Sequence, residues 1–172
     1  MFEMGVSFSE KEEYKVAEKI FSRIIQLNHN YPEAWFNYGV ALSKRKKYND
    51  AIKYLDRAIE INPNYEDAWF SKAAALANSG KHEEAIKCYE RVLELNPNHG
   101  EGGTWYYKGL SLHNLKRYEE ASRCFDKAIE IDSNCVRAWY NKGKTLAKLR
   151  KDEEANQCFE KAENIDSNLA LI

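Results

Sequence analysis

Net charge is almost missing from this chain: 26 basic and 27 acidic side chains leave a formal charge of −1 over 172 residues. A sequence so balanced has no whole-molecule attraction for nucleic acid or anionic lipid. Long apolar runs are missing too, and none approaches the roughly 20 residues that span a bilayer. Met1 to Glu13 holds no basic stretch followed by an apolar one, so no signal peptide is expected and a cytoplasmic location follows. Proline occurs three times and glycine eight, mostly at segment ends, where both act as punctuation. The four cysteines (Cys88, Cys124, Cys135, Cys158) and four histidines (His29, His82, His99, His113) contain no C-x2-C or H-x3-H pairing, so no metal is expected. No HExxH, glycine-rich phosphate loop or nucleophile–base pair is present, so neither enzymatic activity nor a cofactor is expected.

What the chain does have is a period. Its four tryptophans, Trp35, Trp69, Trp105 and Trp139, are spaced by 34, 36 and 34 residues. Each opens a similar phrase: AWFNYG, AWFSKA, TWYYKG, AWYNKG. An alanine follows 16 residues later at Ala51, Ala85, Ala121 and Ala155, then a large apolar residue at Leu55, Tyr89, Phe125 and Phe159. Three residues further comes Ala58, Val92, Ala128 or Ala162. Gly5, Phe8, Tyr14, Ala17, Phe21 and Ile24 carry the same register back to the start, giving five repeats, the first without its opening three residues.

Within a repeat the spacing is helical. Trp35, Tyr38, Gly39 and Leu42 share one helix face, and Ala51, Leu55, Ala58 and Ile59 share another. Polar turns separate the two helices, and the second stops at Asn62-Pro63 and Asn96-Pro97, where proline lacks the donor a helix needs. Asp132-Ser133 and Asp166-Ser167 are the equivalent stops without proline, and Asn64 with Asp67, or Asn134, is expected to cap the next helix. Gly39, Ala73, Gly109 and Gly143 are expected to lie where two helices cross closely, facing Ala51, Ala85, Ala121 and Ala155.

A 34-residue helix–turn–helix with W-x2-[L/Y]-G, then A-x3-[F/Y/L]-x2-A and a closing proline, resembles the tetratricopeptide repeat family over essentially the whole chain. The resemblance implies an all-α fold: a right-handed superhelical α-solenoid of five hairpins, ten helices and no sheet. It implies one domain over 1–172 with repeats 1–31, 32–65, 66–99, 102–135 and 136–169. It also implies a protein-binding scaffold whose first helices line a concave groove. The groove positions are Phe36, Asn37 and Val40; Phe70, Ser71 and Ala74; Tyr106, Tyr107 and Leu110; and Tyr140, Asn141 and Lys144, with Phe2 continuing the aromatic row. Aromatics there either brace neighbouring repeats or form an interface core. Arg137, Lys144 and Lys148 would set a positive field at one end, matching an acidic end of a peptide or protein partner. Family members that clamp a C-terminal carboxylate use Lys and Asn where this chain has Phe36 and Val40, or Phe70 and Ala74, so that mode is not expected.

Several residues depart from the pattern. Lys72, Lys108 and Lys142 replace an apolar position, with stems expected to pack and heads to reach water, the alternative being a functional basic row. His99-Gly100-Glu101-Gly102-Gly103 carries two extra residues, either a tolerated surface insertion or a hinge. Glu163 stands where earlier repeats have Ile25, Ile59, Leu93 and Ile129, and Asn156 where they have Ile52, Ile86 and Ser122; this suits a polar terminal repeat, with a truncated longer array as the alternative. Cys88, Cys124 and Cys158 share one position too far apart for disulfides and are expected to be reduced and partly buried. Lys53 with Asp56, Lys87 with Glu90, and Arg123 with Asp126 are expected i, i+3 pairs on a solvated outer wall. Two other function classes compete with peptide binding. One is self-assembly through the terminal repeats, favoured by the apolar tail Leu169 to Ile172. The other is RNA binding, disfavoured by a groove that is mostly aromatic and small.

Overall fold

The computed structural model describes residues 1–11 and 13–169. Among them lie ten α-helices and no strand: α1 Phe2–Glu10, α2 Tyr14–Leu27, α3 Pro32–Lys44, α4 Tyr48–Ile61, α5 Glu66–Asn78, α6 His82–Leu95, α7 Gly103–Asn114, α8 Tyr118–Ile131, α9 Val136–Lys148 and α10 Asp152–Leu169. Two compact units divide within α6, Met1–Cys88 and Tyr89–Ile172. In the first, α1 to α5 each pack on the next; in the second, α7 to α10 do the same. Ala170 to Ile172, most of the apolar tail, lie outside the described residues.

The second helices bury one stripe each. Ala17, Phe21 and Ile24 in α2, Ala51, Leu55 and Ala58 in α4, and Ala121, Phe125 and Ala128 in α8 are all buried. Phe21, Leu55 and Phe125 are fully enclosed, each contributing about 1.5–3 kcal/mol by leaving water. The glycines explain how such large groups fit. A methyl carbon at Gly5, Gly39, Gly109 or Gly143 would lie 2.8, 2.7, 2.8 or 2.6 Å from Phe21, Leu55, Phe125 or Phe159. The expected opposition of small residues is therefore only half of the arrangement: the space above each glycine holds the large side chain four residues after the alanine.

Turns between first and second helices share one device. Lys46, Gly80, Lys116 and Arg150 adopt positive φ of 59°, 85°, 61° and 61°. The next amide then reaches back five residues, as from Lys47 to the Leu42 carbonyl (3.0 Å) and from Arg117 to Leu112 (2.9 Å). This closes the helix in a Schellman motif, which normally favours glycine.

Turns between repeats work differently. Asn28, Asn62, Asn96 and Asp132 each accept, through Oδ1, the amide two residues on, at 3.0, 3.2, 3.2 and 3.0 Å. The following tryptophan ties the turn down: the Trp35, Trp69, Trp105 and Trp139 indoles donate to the His29, Pro63, Pro97 and Ser133 carbonyls at 2.9, 2.9, 3.1 and 2.9 Å. Two sequence expectations are corrected here. The N-caps are Tyr65 and Cys135 rather than Asn64 and Asn134: the Tyr65 carbonyl accepts the first helical amides, from Ala68 and Trp69 at 3.1 and 3.2 Å, and the Cys135 carbonyl those from Ala138 and Trp139 at 3.0 and 3.2 Å. Asp166-Ser167 does not stop a helix, since α10 runs through to Leu169.

The glycine-rich segment packs rather than dangling. Gly102 is buried at φ 88°, and a side chain there would meet the Ala128 carbonyl at 3.1 Å and Ile131 at 3.3 Å. Thr104 is fully buried and bonded to the His99 ring at 2.9 Å. In α10, Asn156 and Glu163 are exposed.

Candidate functional site

The positions one, two and five residues after each tryptophan occupy one face of the first helices. In the first unit, Phe36 is half-buried with its ring 5.0 Å from Tyr65, and burial raises the Tyr65 hydroxyl to about pKa 12, helped by Glu33 and Asp67. Asn37 donates from Nδ2 to the Glu33 carbonyl one turn back at 2.8 Å. Val40, Phe70, Ser71 and Ala74 come together with Tyr48 around a cavity of about 230 Å³. Phe2 packs against Phe21 and Tyr31, at 5.9 and 5.2 Å between ring centroids.

In the second unit the face is both aromatic and basic. Tyr106 is 8% exposed, wedged on Phe125 at 6.0 Å, with the Arg137 guanidinium 5.4 Å above its ring. Burial raises its pKa against the lowering effect of Arg137. Tyr107 lies stacked 6.5 Å from Tyr89 and edge-on to Tyr106, and Leu110 is half-buried. Tyr140, at the same repeat position as Tyr106, is instead 51% exposed, with Lys144 5.8 Å above its ring. Asn141 spends its amide protons inside the fold, on the Arg137 carbonyl (2.9 Å) and the Tyr106 hydroxyl (3.3 Å), so its carbonyl oxygen is the atom left for a ligand.

A histidine completes this face. Thr145 Oγ1 gives its proton to the Asn141 carbonyl at 2.7 Å, so the 2.8 Å contact with His113 has Nδ1–H of His113 as donor. Burial first, then Lys144 and Lys148, hold the His113 pKa below its ordinary value. Arg137, Lys144 and Lys148 are exposed, and among the described residues no carboxylate forms an ion pair with any of them.

The opposite side of the first helices carries a feature that the sequence reading missed. Lys72, Lys108 and Lys142 do not end in water. Each ammonium pairs with a carboxylate of the preceding second helix, Asp56 at 2.6 Å, Glu90 at 2.9 Å and Asp126 at 2.6 Å. Each also sits over its own repeat's tryptophan, 5.4 to 5.6 Å from the ring. The expected pairs Lys53–Asp56, Lys87–Glu90 and Arg123–Asp126 are therefore replaced, because half-buried lysines of the next helix outbid exposed ones one turn away. Buried Cys88, Cys124 and Cys158 lie in the same electrostatic environment, as free thiols with burial raising each pKa, to about 11 for Cys124. Covariation of three register positions, acid, lysine and cysteine, was the available signal.

Between α2, α3 and α4 that strut is absent. Tyr38 stands at the lysine position and packs on Tyr54 with ring centroids 4.2 Å apart and a 35° tilt, and Tyr54 lies 5.7 Å from Trp35. Burial, with the Tyr54 hydroxyl beside it, raises Tyr38 to about pKa 12. An outer cleft of about 300 Å³ opens here, floored by Ile25, Trp35 and Tyr54 and rimmed by Lys53 and Arg57.

No group of three or more metal-ligating side chains gathers among the described residues, and no helix there is long and apolar enough to cross a membrane. The sequence matches the family described as anaphase-promoting complex, cyclosome, subunit 3, in three overlapping registers over residues 10–92, 44–128 and 78–162. A comparison with curated protein sequences finds no match. Among solved structures, a crystal structure of MamA is similar over 98% of this chain and 97% of that one, with TM-score 0.92 and 20% identity. MamA from residue 41 onward, from Desulfovibrio magneticus RS-1, is similar over 96% and 93%, with TM-score 0.91 and 19% identity. YrrB, described as a TPR protein with an unusual peptide-binding site, is similar over 95% and 84%, with TM-score 0.82 and 22% identity. At these identities the likeness is one of fold.

Proposed function

The chain belongs to the tetratricopeptide repeat family, through its match to the anaphase-promoting complex subunit 3 repeats, and on that premise we propose that it is a non-enzymatic scaffold that binds a peptide or protein segment along its first helices. The reading takes residues 1–172 as one array with repeats 1–31, 32–65, 66–99, 102–135 and 136–169. The observation that carries it is the α9 face, where exposed Tyr140 lies among Arg137, Lys144 and Lys148, three cations with no carboxylate partner among the described residues. A solvent-facing ring amid unpaired cations suits an apolar anchor next to acidic side chains. Tyr106 supports the surface from below by holding Arg137 and Asn141, and Asn141 Oδ1 accepts a hydrogen bond from the partner's backbone. In the first unit, the cavity of Val40, Phe70, Ser71 and Ala74 takes a small apolar side chain.

Affinity capture with crosslinking mass spectrometry from the native host identifies the partner and tests its place. Tyr140→Ala is expected to weaken binding by about 1–2 kcal/mol, roughly 5- to 30-fold. Lys144→Glu should weaken it further, and Lys87→Glu on the outer wall should do little. A partner indifferent to both groove changes overturns the reading.

Self-association through the first hairpin is a second reading, supported by Met1, Met4 and Leu27, which are 65%, 54% and 60% exposed. Sedimentation of Met4→Glu with Leu27→Glu tests it: a parent that sediments as a monomer at high concentration rules it out.

A further inference from the structure

The repeats allow the chain to be compared with itself. Three junctions share one strut: the carboxylates of Asp56, Glu90 and Asp126, five residues after the repeat alanine, grip Lys72, Lys108 and Lys142 above a tryptophan. At the first junction all three members change together. Ser22 stands for the acid, Tyr38 for the lysine and Tyr54 for the cysteine. A serine has no charge to pair with an ammonium, and two tyrosines packed on each other need none. The exchange therefore removes the lysine–carboxylate pair from beside Trp35, leaving Arg57 as the cation over its ring, while keeping the junction packed, with Tyr38 against Tyr54 at 4.2 Å.

Two adjoining outer cavities result, about 300 and 390 Å³, with Ser22 bordering both. Their floor is Ile25, Trp35, Tyr38 and Tyr54, and their rim is Lys15, Lys19, Lys53 and Arg57. Among the residues lining either cavity the one carboxylate is Glu18, and Arg45 holds it at 2.6 Å. Lys15 and Lys19 have no ion pair among the described residues. Lys53 and Arg57 are tied to Asp50 and Glu60 in exposed i, i+3 pairs, contacts weak enough (about 0.2–0.5 kcal/mol) for an incoming carboxylate to displace.

We propose that this cleft on the outer side of α2, α3 and α4 is a second docking site, taking an acidic peptide segment that inserts one aliphatic or aromatic side chain between Ile25, Trp35 and Tyr54. The apolar floor calls for an anchor, and the unbalanced rim calls for carboxylates on either side of it. The ring faces are already occupied: Tyr38 lies on Tyr54, and Arg57 covers Trp35 at 5.7 Å. Nucleobases, which need an open face to stack on, are thus the poorer fit. This site stands apart from the first-helix groove and holds whether or not that groove binds.

The probe is a fluorescein-labelled peptide with one central leucine flanked by glutamates, titrated into the full chain and followed by anisotropy. Saturable binding that weakens with salt is expected. Installing the strut, with Ser22→Asp, Tyr38→Lys and Tyr54→Cys together, should weaken it by about tenfold or more. Lys15→Glu with Lys19→Glu changes only exposed side chains and should do the same without touching the floor. Lys161→Glu, an exposed cation on α10, should bind as the parent does. The proposal is overturned if the folded strut variant and the lysine double variant both keep parental affinity. It is equally overturned if a lysine-for-glutamate peptide or a single-stranded oligouridylate binds as well. Loss with Arg137→Ala alone would move the peptide to the groove, and a dimer that dissolves on installing the strut would give the cleft to a second copy.

Discussion

Gly103 and Gly109 lie six residues apart on α7, and the fold predicts opposite outcomes for the same substitution. In an exposed helix, glycine to alanine gains about 1 kcal/mol from backbone propensity alone. At Gly103 an added methyl carbon meets nothing within 4 Å, so that gain should survive in part. At Gly109 it would meet three carbons of the Phe125 ring, at 2.8, 3.0 and 3.1 Å, where ordinary carbon contacts lie at about 3.5–4.0 Å. The ring cannot step aside, being fully buried with Tyr106 behind it at 6.0 Å. Overpacking of this kind costs about 1–3 kcal/mol. Gly109→Ala should therefore be destabilised by up to about 2 kcal/mol, and Gly109→Leu by about 3 kcal/mol or more. For a chain of this length that places the leucine variant about 6–12 °C below the parent in Tm. Thermal and urea unfolding of Gly103→Ala, Gly109→Ala and Gly109→Leu read the contrast directly. If Gly103→Ala and Gly109→Ala move in the same direction, the account of the glycine positions is wrong.

Three further outcomes follow from the turns and the buried titratable groups. Lys116→Gly should raise stability by about 0.5–1 kcal/mol in urea unfolding, because glycine relieves the left-handed strain at φ 61° while losing some unfolded-state entropy in exchange. The folded-state pKa of His113 lies below its unfolded value near 6.5, so its contribution is complete above that pH and is lost as pH falls through the folded pKa. A stability profile from neutral to acid pH should slope less in His113→Gln than in the parent, and equal slopes would refute the assignment. Timed alkylation of the native protein, read by mass spectrometry, should modify half-buried Cys135 well before Cys88, Cys124 and Cys158, whose burial both blocks access and disfavours the thiolate.

The hairpins were legible because their signals are redundant: tryptophan, glycine, alanine and a large apolar residue recur in one register, and each has one packing task. What escaped the sequence was competition among partners. Asp56 has Lys53 one turn away in its own helix, and local spacing favours that pair, yet Lys72 from the next helix wins because its stem is half-buried and its head has nowhere better to go. The same limit applies to the groove. Tyr106 and Tyr140 are equivalent in register, but Arg137 and Asn141 of α9 close over Tyr106, while among the described residues no further first helix packs on α9 to cover Tyr140. Asn37 and Asn141 share one groove position in the register, yet both amides turn back to carbonyls of their own helices. A residue's position in the repeat was readable; which of its neighbours would claim it was not.

The positive-φ turns have a bearing on how the chain comes apart. Each is followed or formed by a basic residue, at Lys46-Lys47, Lys81, Lys116-Arg117 and Arg150-Lys151, all at hairpin tips and mostly exposed. A trypsin-like protease would find its cleavage sites there, where the backbone already bends outward. The links between repeats are pinned by the Asx residues and the tryptophan indoles and offer it little purchase. Digestion would therefore parse the array out of phase with its repeats, into fragments that join the second helix of one hairpin to the first helix of the next. In those fragments the indole tie and the strut stay intact and the glycine crossing is broken. Whether such pieces keep any helix would reveal which of the two interfaces, within a hairpin or between hairpins, is the true cooperative unit.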